Sequence, residues 1–273
     1  MPQITIDSTN YHYRVSKRAP ENGQAVICLH GSGAHGIVWS YQVSRLSKYF
    51  KVIVPDLPGH GESQGSTLAS AEEYACWLDR FAAGLKLSSF FVMGHSFGGA
   101  IAQEYARTFS CKVRGLILVA TGTRFRFSTM YRSLYEQGVD VSADIQHFRT
   151  PDHPEQFDFF NKVFEFLKSN SDATLHADLL AAGAFDSTPW ISTINLPSLV
   201  IWGSNDIITP KELPENLASS LSGSEFCVIQ NAGHVVMVEA PNEFNTIVKN
   251  FMEKNLYGGE ASSCFQQALF FLE

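Results

Sequence analysis

The sequence predicts an α/β protein in which a mostly parallel sheet of eight strands carries helices on both faces. Three observations predict it. Short apolar runs, the continuously apolar Ala25–Leu29 and the strand-like Val113–Val119 among them, alternate with longer helical segments, and strands buried on both faces read as apolar runs. The connecting segments are long enough for crossover helices. One strand-like run, Phe90–Met93, leads through Gly94-His95-Ser96-Phe97-Gly98 directly into a helical segment starting at Ala100.

The elements follow in chain order. Ile4–Ile6 and Tyr11–Val15 alternate and suit an antiparallel hairpin at a sheet edge. Ala25–Leu29 is the first buried strand. A helix over about Val38–Lys48 precedes the strand Lys51–Val54, and a Gly-rich polar loop runs from Asp56 to Ser63. A helix over about Ala71–Leu85 precedes the Phe90–Met93 strand and its helix. After the strand Val113–Val119 the rhythm breaks. From about Gly122 to Pro189 no buried strand is evident, and Phe159, Phe160, Val163, Phe164 and Leu167 have helical spacing. The segment reads as a helical insertion before the last two strands, Ser198–Trp202 and Phe226–Ile229. A helix over about Lys211–Leu221 lies between those strands, and a last one spans about Asn242–Asn255. The organisation is therefore a core of residues 1–121 and 190–257, a helical cap of residues 122–189, and a tail of residues 258–273. In the tail Phe265, Leu269, Phe270 and Leu272 suit a short helix docking on the domain, a disordered end, or a self-association patch.

The 273 residues are 45% apolar and 17% charged, with a net charge of -7. That balance is ordinary for a globular protein able to bury a core. The negative charge disfavours nucleic acid and anionic membranes as partners. Cys28, Cys76, Cys111, Cys227 and Cys264 are odd in number and match no zinc or redox spacing. Cys28 and Cys227 read as buried free thiols in strands. The N-terminus lacks a signal-peptide pattern and no run is long enough to span a bilayer. The expectation is a cytoplasmic monomer or homodimer, without metal or organic cofactor, acting on a small molecule.

The chemistry rests on Ser96. Glycines two residues before and after it leave room for a strained turn that exposes the hydroxyl. A serine hydroxyl needs a base, and the base needs an orienting carboxylate. Asp206 follows the strand ending at Trp202, and His234 follows the last strand. Loops at the carboxyl ends of parallel strands share one crevice. The expected oxyanion donors are the backbone N–H groups of Phe97 and Ser32, with Gly33 as the substitute for Ser32. His30 reads as a brace for its loop, and His95 as a supporting residue. Asp206 alone could also cap a helix.

Five motifs appear in order: Leu29-His30-Gly31-Ser32-Gly33, Asp56-Leu57-Pro58-Gly59-His60-Gly61-Glu62-Ser63, Gly94-His95-Ser96-Phe97-Gly98-Gly99, Gly203-Ser204-Asn205-Asp206 and Ala232-Gly233-His234. On these the chain resembles the α/β-hydrolase superfamily, specifically its lid-bearing serine hydrolases. The resemblance implies the α/β-hydrolase fold and a carboxylic-ester hydrolase acting on small to medium esters. Carbon–carbon bond hydrolysis of ring-fission products, cofactor-free perhydrolysis and a triad-bearing small-molecule receptor are the other outcomes open to the same residues. Haloalkane dehalogenases and epoxide hydrolases of the superfamily use Asp where this chain has Ser96. Trp39, Phe125, Leu180, Phe185 and Val235 are candidates to line an apolar substrate pocket, with Phe127 beside them, or to pack the cap on the core. Arg124 and Arg126 are candidates to meet an anionic group, or are solvated charges.

Overall fold

The structure is a computed structural model that describes residues 2–20, 23–125 and 172–257. The described strands are β1 (Gln3–Ile6), β2 (Thr9–Val15), β3 (Ala25–Leu29), β4 (Lys51–Pro55), β5 (Phe90–His95), β6 (Val113–Val119), β7 (Ser198–Gly203) and β8 (Glu225–Ile229). They form one eight-stranded sheet in the order β1-β2-β4-β3-β5-β6-β7-β8. β1, β2 and β4 pair antiparallel; every pair from β4 to β8 is parallel. The α/β fold class and the edge hairpin are as the sequence predicts.

The continuous apolar strands divide their side chains between two cores, because successive residues point to opposite faces. Ala25, Ile27 and Leu29 face one helical layer, and Val26 and Cys28 face the other. The first layer contains α2 (Ala71–Gly84), α3 (Phe97–Thr108), α4 (Asp172–Ala184) and α5 (Glu212–Ser220). The second contains α1 (Ser40–Leu46), α6 (Val236–Glu239) and α7 (Pro241–Tyr257). Buried aromatic rings knit the first layer: Trp77 stacks on Phe81 at 5.2 Å between centroids, and Tyr74 meets Phe97 edge-on at 5.7 Å. β8 is half-buried over most of its length because it is a sheet edge, and Cys227 is accordingly half-buried where the sequence suggested full burial.

Helix boundaries follow local chemistry. α2 starts where Ser70 Oγ accepts the Glu73 N–H, and Glu73 reaches back to accept the Ala69 N–H, a reciprocal cap. α7 opens on Pro241, which lacks the N–H that a first helical residue leaves unused. The helix predicted over Val38–Lys48 is a 3-10 turn, Gly36–Trp39, followed by α1; His35 provides no side-chain cap at its start. The predicted helical spacing at Phe159–Leu167, Arg126, Phe127, Cys264 and the tail lie outside the described residues. No described helix is long and apolar enough to cross a membrane.

Register aligns the carboxyl ends of the central strands. Leu29 pairs with Gly94, His95 with Val119, Val119 with Ile201, and Gly203 with Ile229. The loops that leave these ends emerge side by side. One of them is held by Asp56, just after β4. Its Oδ1 accepts the Gly36 N–H at 2.7 Å, and its Oδ2 accepts the Glu62 N–H at 3.1 Å and lies 2.7 Å from His12 Nδ1. Burial pushes its pKa up, but the hydrogen bonds, that from Gly36 foremost, outweigh burial and hold the carboxyl below its ordinary 3.8. A depressed native pKa stabilises the fold above the unfolded value, and that contribution is lost as pH falls through the native one. Asp56→Asn should therefore cost on the order of 2 kcal/mol at pH 7. The deficit should narrow as pH drops below 3.8. Urea unfolding at pH 7 and pH 3 measures it, and equal deficits at both would contradict this account.

Candidate active site

Ser96 sits between β5 and α3 with φ 52° and ψ −120°. A non-glycine residue is strained there. The surroundings over-determine it. The Ser96 N–H donates to Val119 O at 2.9 Å, and Ser96 O accepts from Gly99 N–H at 2.8 Å and Thr121 Oγ1 at 2.9 Å. A Cβ at Gly94 would collide with the Gly98 carbonyl, and one at Gly98 would come within 2.6 Å of the His30 carbonyl oxygen. Both glycines therefore permit the close approach that the sequence suggested.

Asp206 and His234 are brought together from separate loops. His234 Nδ1 lies 2.9 Å from Asp206 Oδ2. The other carboxylate oxygen accepts the N–H groups of Ile208 at 2.9 Å and Thr209 at 2.8 Å. Asp206 is thus buried and oriented, and its cap-like bonds coexist with its bond to the histidine. Thr209 Oγ1 donates to Ala120 O and stands 3.4 Å from His234 Nδ1. With Nδ1 engaged, Nε2 is the nitrogen left to exchange a proton. Asn205 N–H donates to Ala232 O at 2.8 Å, so the two loops also join through their backbones.

The histidine's backbone is held on both sides. Glu239, on α6, accepts the Gly233 N–H through Oε2 at 2.7 Å and the Val235 N–H through Oε1 at 3.0 Å. His95 Nε2 donates to His234 O at 3.0 Å, and the two rings lie 4.7 Å apart. This is the supporting position expected of His95, next to Ser96. Burial, then the neighbouring His234, drives the His95 pKa well below its ordinary value, so it remains a neutral donor. Glu239 was missed in the sequence. The signal was a carboxylate five residues beyond the histidine, inside an otherwise apolar run.

The loop after β3 lies directly against Ser96: a Cβ at Gly31 would come within 3.1 Å of Ser96 Cβ. His30 braces it, with Nδ1 donating to Gly31 O at 2.9 Å and Nε2 accepting the Leu57 N–H at 3.0 Å. That pattern fixes the neutral tautomer; burial and then His60 lower the His30 pKa to about 3. Among the described residues the Ser32 N–H has no acceptor, whereas the Gly33 N–H donates to Asp178 Oδ2 at 2.8 Å. The Gly33 N–H is therefore already committed to Asp178. Phe97 is the first residue of α3, so its N–H has no partner within the helix.

The pocket candidates separate. Trp39 is fully buried and faces Phe244, with 6.2 Å between ring centroids, on the far side of the sheet from α3. Phe125 and Phe185 contact each other at 6.1 Å, and Phe185 packs on Trp190. Leu180 is exposed on α4, and Val235 is half-buried beside the histidine. Arg124 is exposed and forms a backbone bridge with Asp186, joining the two ends of the insertion. Among the described residues no cluster could hold a metal.

Comparison with known proteins bears on the family and the fold. The alpha/beta hydrolase family profile matches residues 26–247. A pimeloyl-[acyl-carrier protein] methyl ester esterase of Neisseria meningitidis is 26% identical over 261 residues, covering 88% of this chain and 98% of that protein. The structure of a thermophilic esterase from Thermogutta terrifontis superposes with a TM-score of 0.79 at 27% identity, covering 93% of this chain and 98% of that one. A meta-cleavage product hydrolase of Pseudomonas fluorescens superposes with a TM-score of 0.77 at 19% identity, covering 93% and 98%, a likeness of fold. A hydrolase-type sheet, a strained serine at the end of its central strand and a profile match across most of the chain lead to one assignment: the protein belongs to the alpha/beta hydrolase family.

Proposed function

We propose that the protein is a serine hydrolase that cleaves small to medium carboxylic esters through an acyl-enzyme, with Ser96 as nucleophile, His234 as general base and Asp206 as its orienting carboxylate. The observation that carries this reading is the Asp206–His234 pair at 2.9 Å, presented at the same sheet edge as the strained Ser96. Membership of the family and the esterase relatives support it. Because one of those relatives is a methyl ester esterase, methyl esters are the first class to assay.

In this mechanism His234 Nε2 removes the Ser96 proton as Oγ bonds to the ester carbon. Asp206 stabilises the resulting imidazolium through Nδ1. The negative charge moves to the former carbonyl oxygen, where the N–H groups of Phe97 and Ser32 receive it. Fixed donors of this kind typically contribute about 3 kcal/mol each to the transition state. Collapse of the intermediate expels the alcohol, which takes the proton from His234. Water, deprotonated by the same nitrogen, then attacks the acyl carbon and releases the acid and Ser96.

Ser96→Ala should lower kcat for p-nitrophenyl acetate by at least about a thousandfold and abolish labelling by a fluorophosphonate. An unchanged rate would refute the assignment. Asp206→Asn should keep its acceptor for the Ile208 and Thr209 N–H groups, so the fold should persist while kcat drops by about four orders of magnitude. Circular dichroism and steady-state kinetics on the same sample separate the two effects. A small loss of kcat in a folded variant would remove Asp206 from the mechanism.

A further inference from the structure

Asp178 lies on α4, in the insertion, yet it is fully buried. A carboxylate is seldom buried unless its oxygens are satisfied, and here each has a partner from a different part of the core. Oδ2 accepts the Gly33 N–H at 2.8 Å and lies 2.8 Å from His60 Nε2. Oδ1 accepts from the Tyr74 hydroxyl at 3.2 Å. One cap side chain therefore ties together the loop after β3, the Gly-rich loop after β4 and helix α2. His60 is anchored at its other nitrogen, 3.0 Å from Pro58 O. Burial lowers the His60 pKa, but hydrogen bonding to Asp178 and its charge outweigh that and raise it, which favours a charged, tightly held pair.

A second contact comes from the same helix. Gly33 has φ +63°, and a Cβ there would lie 2.7 Å from Leu175 Cδ1, so α4 rests on the loop backbone. The opposite side of the loop is braced by His30 on Gly31 O and by the Ala34 N–H, which donates to Gly31 O at 3.2 Å. Between these fixed points stands Ser32, whose N–H is uncommitted among the described residues.

We propose that Asp178 is a positioning residue that aims the Ser32 N–H at the reacting carbonyl oxygen, so that the cap helix sets the geometry of the oxyanion site as well as covering the core. The proposal rests on the reading of Ser96 and Ser32 above. It assigns Asp178 an effect on the transition state rather than on substrate affinity, because a misdirected oxyanion donor penalises charge that exists only during reaction.

The test compares wild type with Asp178→Ala and Asp178→Asn, the latter preserving volume if the alanine variant does not fold. Three readouts are taken on folded protein: kcat and KM for p-nitrophenyl acetate, inhibition by phenylboronic acid, which adds to a serine hydroxyl as a tetrahedral anion, and hydrogen exchange across residues 31–34. The expected result is a kcat about tenfold or more lower with KM held within about threefold. Boronate affinity should weaken in parallel with kcat, and exchange in the loop should quicken. Unchanged kcat and boronate affinity in a folded variant, or a change confined to KM or to melting temperature, would overturn the proposal while leaving the hydrolase reading intact. Wild-type protein that a fluorophosphonate does not label at Ser96 would instead overturn the hydrolase reading, and the positioning role with it.

Discussion

The bond on which the site depends is that of a buried carboxylate to loop backbone N–H groups. Asp56, Asp178, Asp206 and Glu239 are all buried, and each accepts at least one main-chain N–H from a loop at the carboxyl edge of the sheet. Such loops leave regular structure, so their amides lose ladder partners just where water is scarce. An unsatisfied buried N–H costs about 1–3 kcal/mol, and a charged acceptor is the stronger kind of partner. The carboxylate and the amides thus need one another: the amides offset the desolvation of the charge, and the charge fixes the amides. The result is a set of irregular loops with little freedom to rearrange, on a sheet whose register already brings their origins level.

This arrangement also divides labour between the two ends of the histidine. Asp206 holds the ring, and Glu239 and His95 hold the backbone on which the ring is mounted. A ring bonded to a carboxylate can still swing with its loop. Anchoring the N–H groups on both sides of His234 removes that freedom without touching the imidazole's chemistry.

The sequence made the strands legible because β3, β5, β6 and β7 are buried on both faces and carry the apolar runs that such burial requires. Ser96 and Asp206 stood out as candidates because each falls in a short motif directly after such a strand, and His234 because its motif follows the last strand, the half-buried edge β8. Asp178 did not. It shares a helix face with Leu175, Leu179 and Ala182, a spacing that marks an apolar stripe, and the acidic residue within that stripe was the overlooked signal. Its partners lie 104 to 145 residues away in the chain, so only the folded arrangement reveals what it binds. The sequence already favoured Ser32 over Gly33 as the donor, but that Asp178 on α4 engages the Gly33 N–H is visible only in the folded chain. Likewise Trp39 carries the aromatic character of a pocket residue, but the 3-10 turn it closes lies on the other face of the sheet and puts it in the opposite core.

The strain at Ser96 belongs to its backbone and not to its hydroxyl. Its φ and ψ, 52° and −120°, mirror a conformation that ordinary residues favour, and glycine is the residue that occupies both forms with ease. The cost of holding a side chain there is of order 1–3 kcal/mol. Replacement by glycine would relieve it, so loss of the proposed nucleophile need not be opposed by folding. In a lineage released from selection for the chemistry, this position would drift early while the sheet around it persisted. A serine here answers to nothing the surrounding core requires, which is what the proposed reactive role would demand of it.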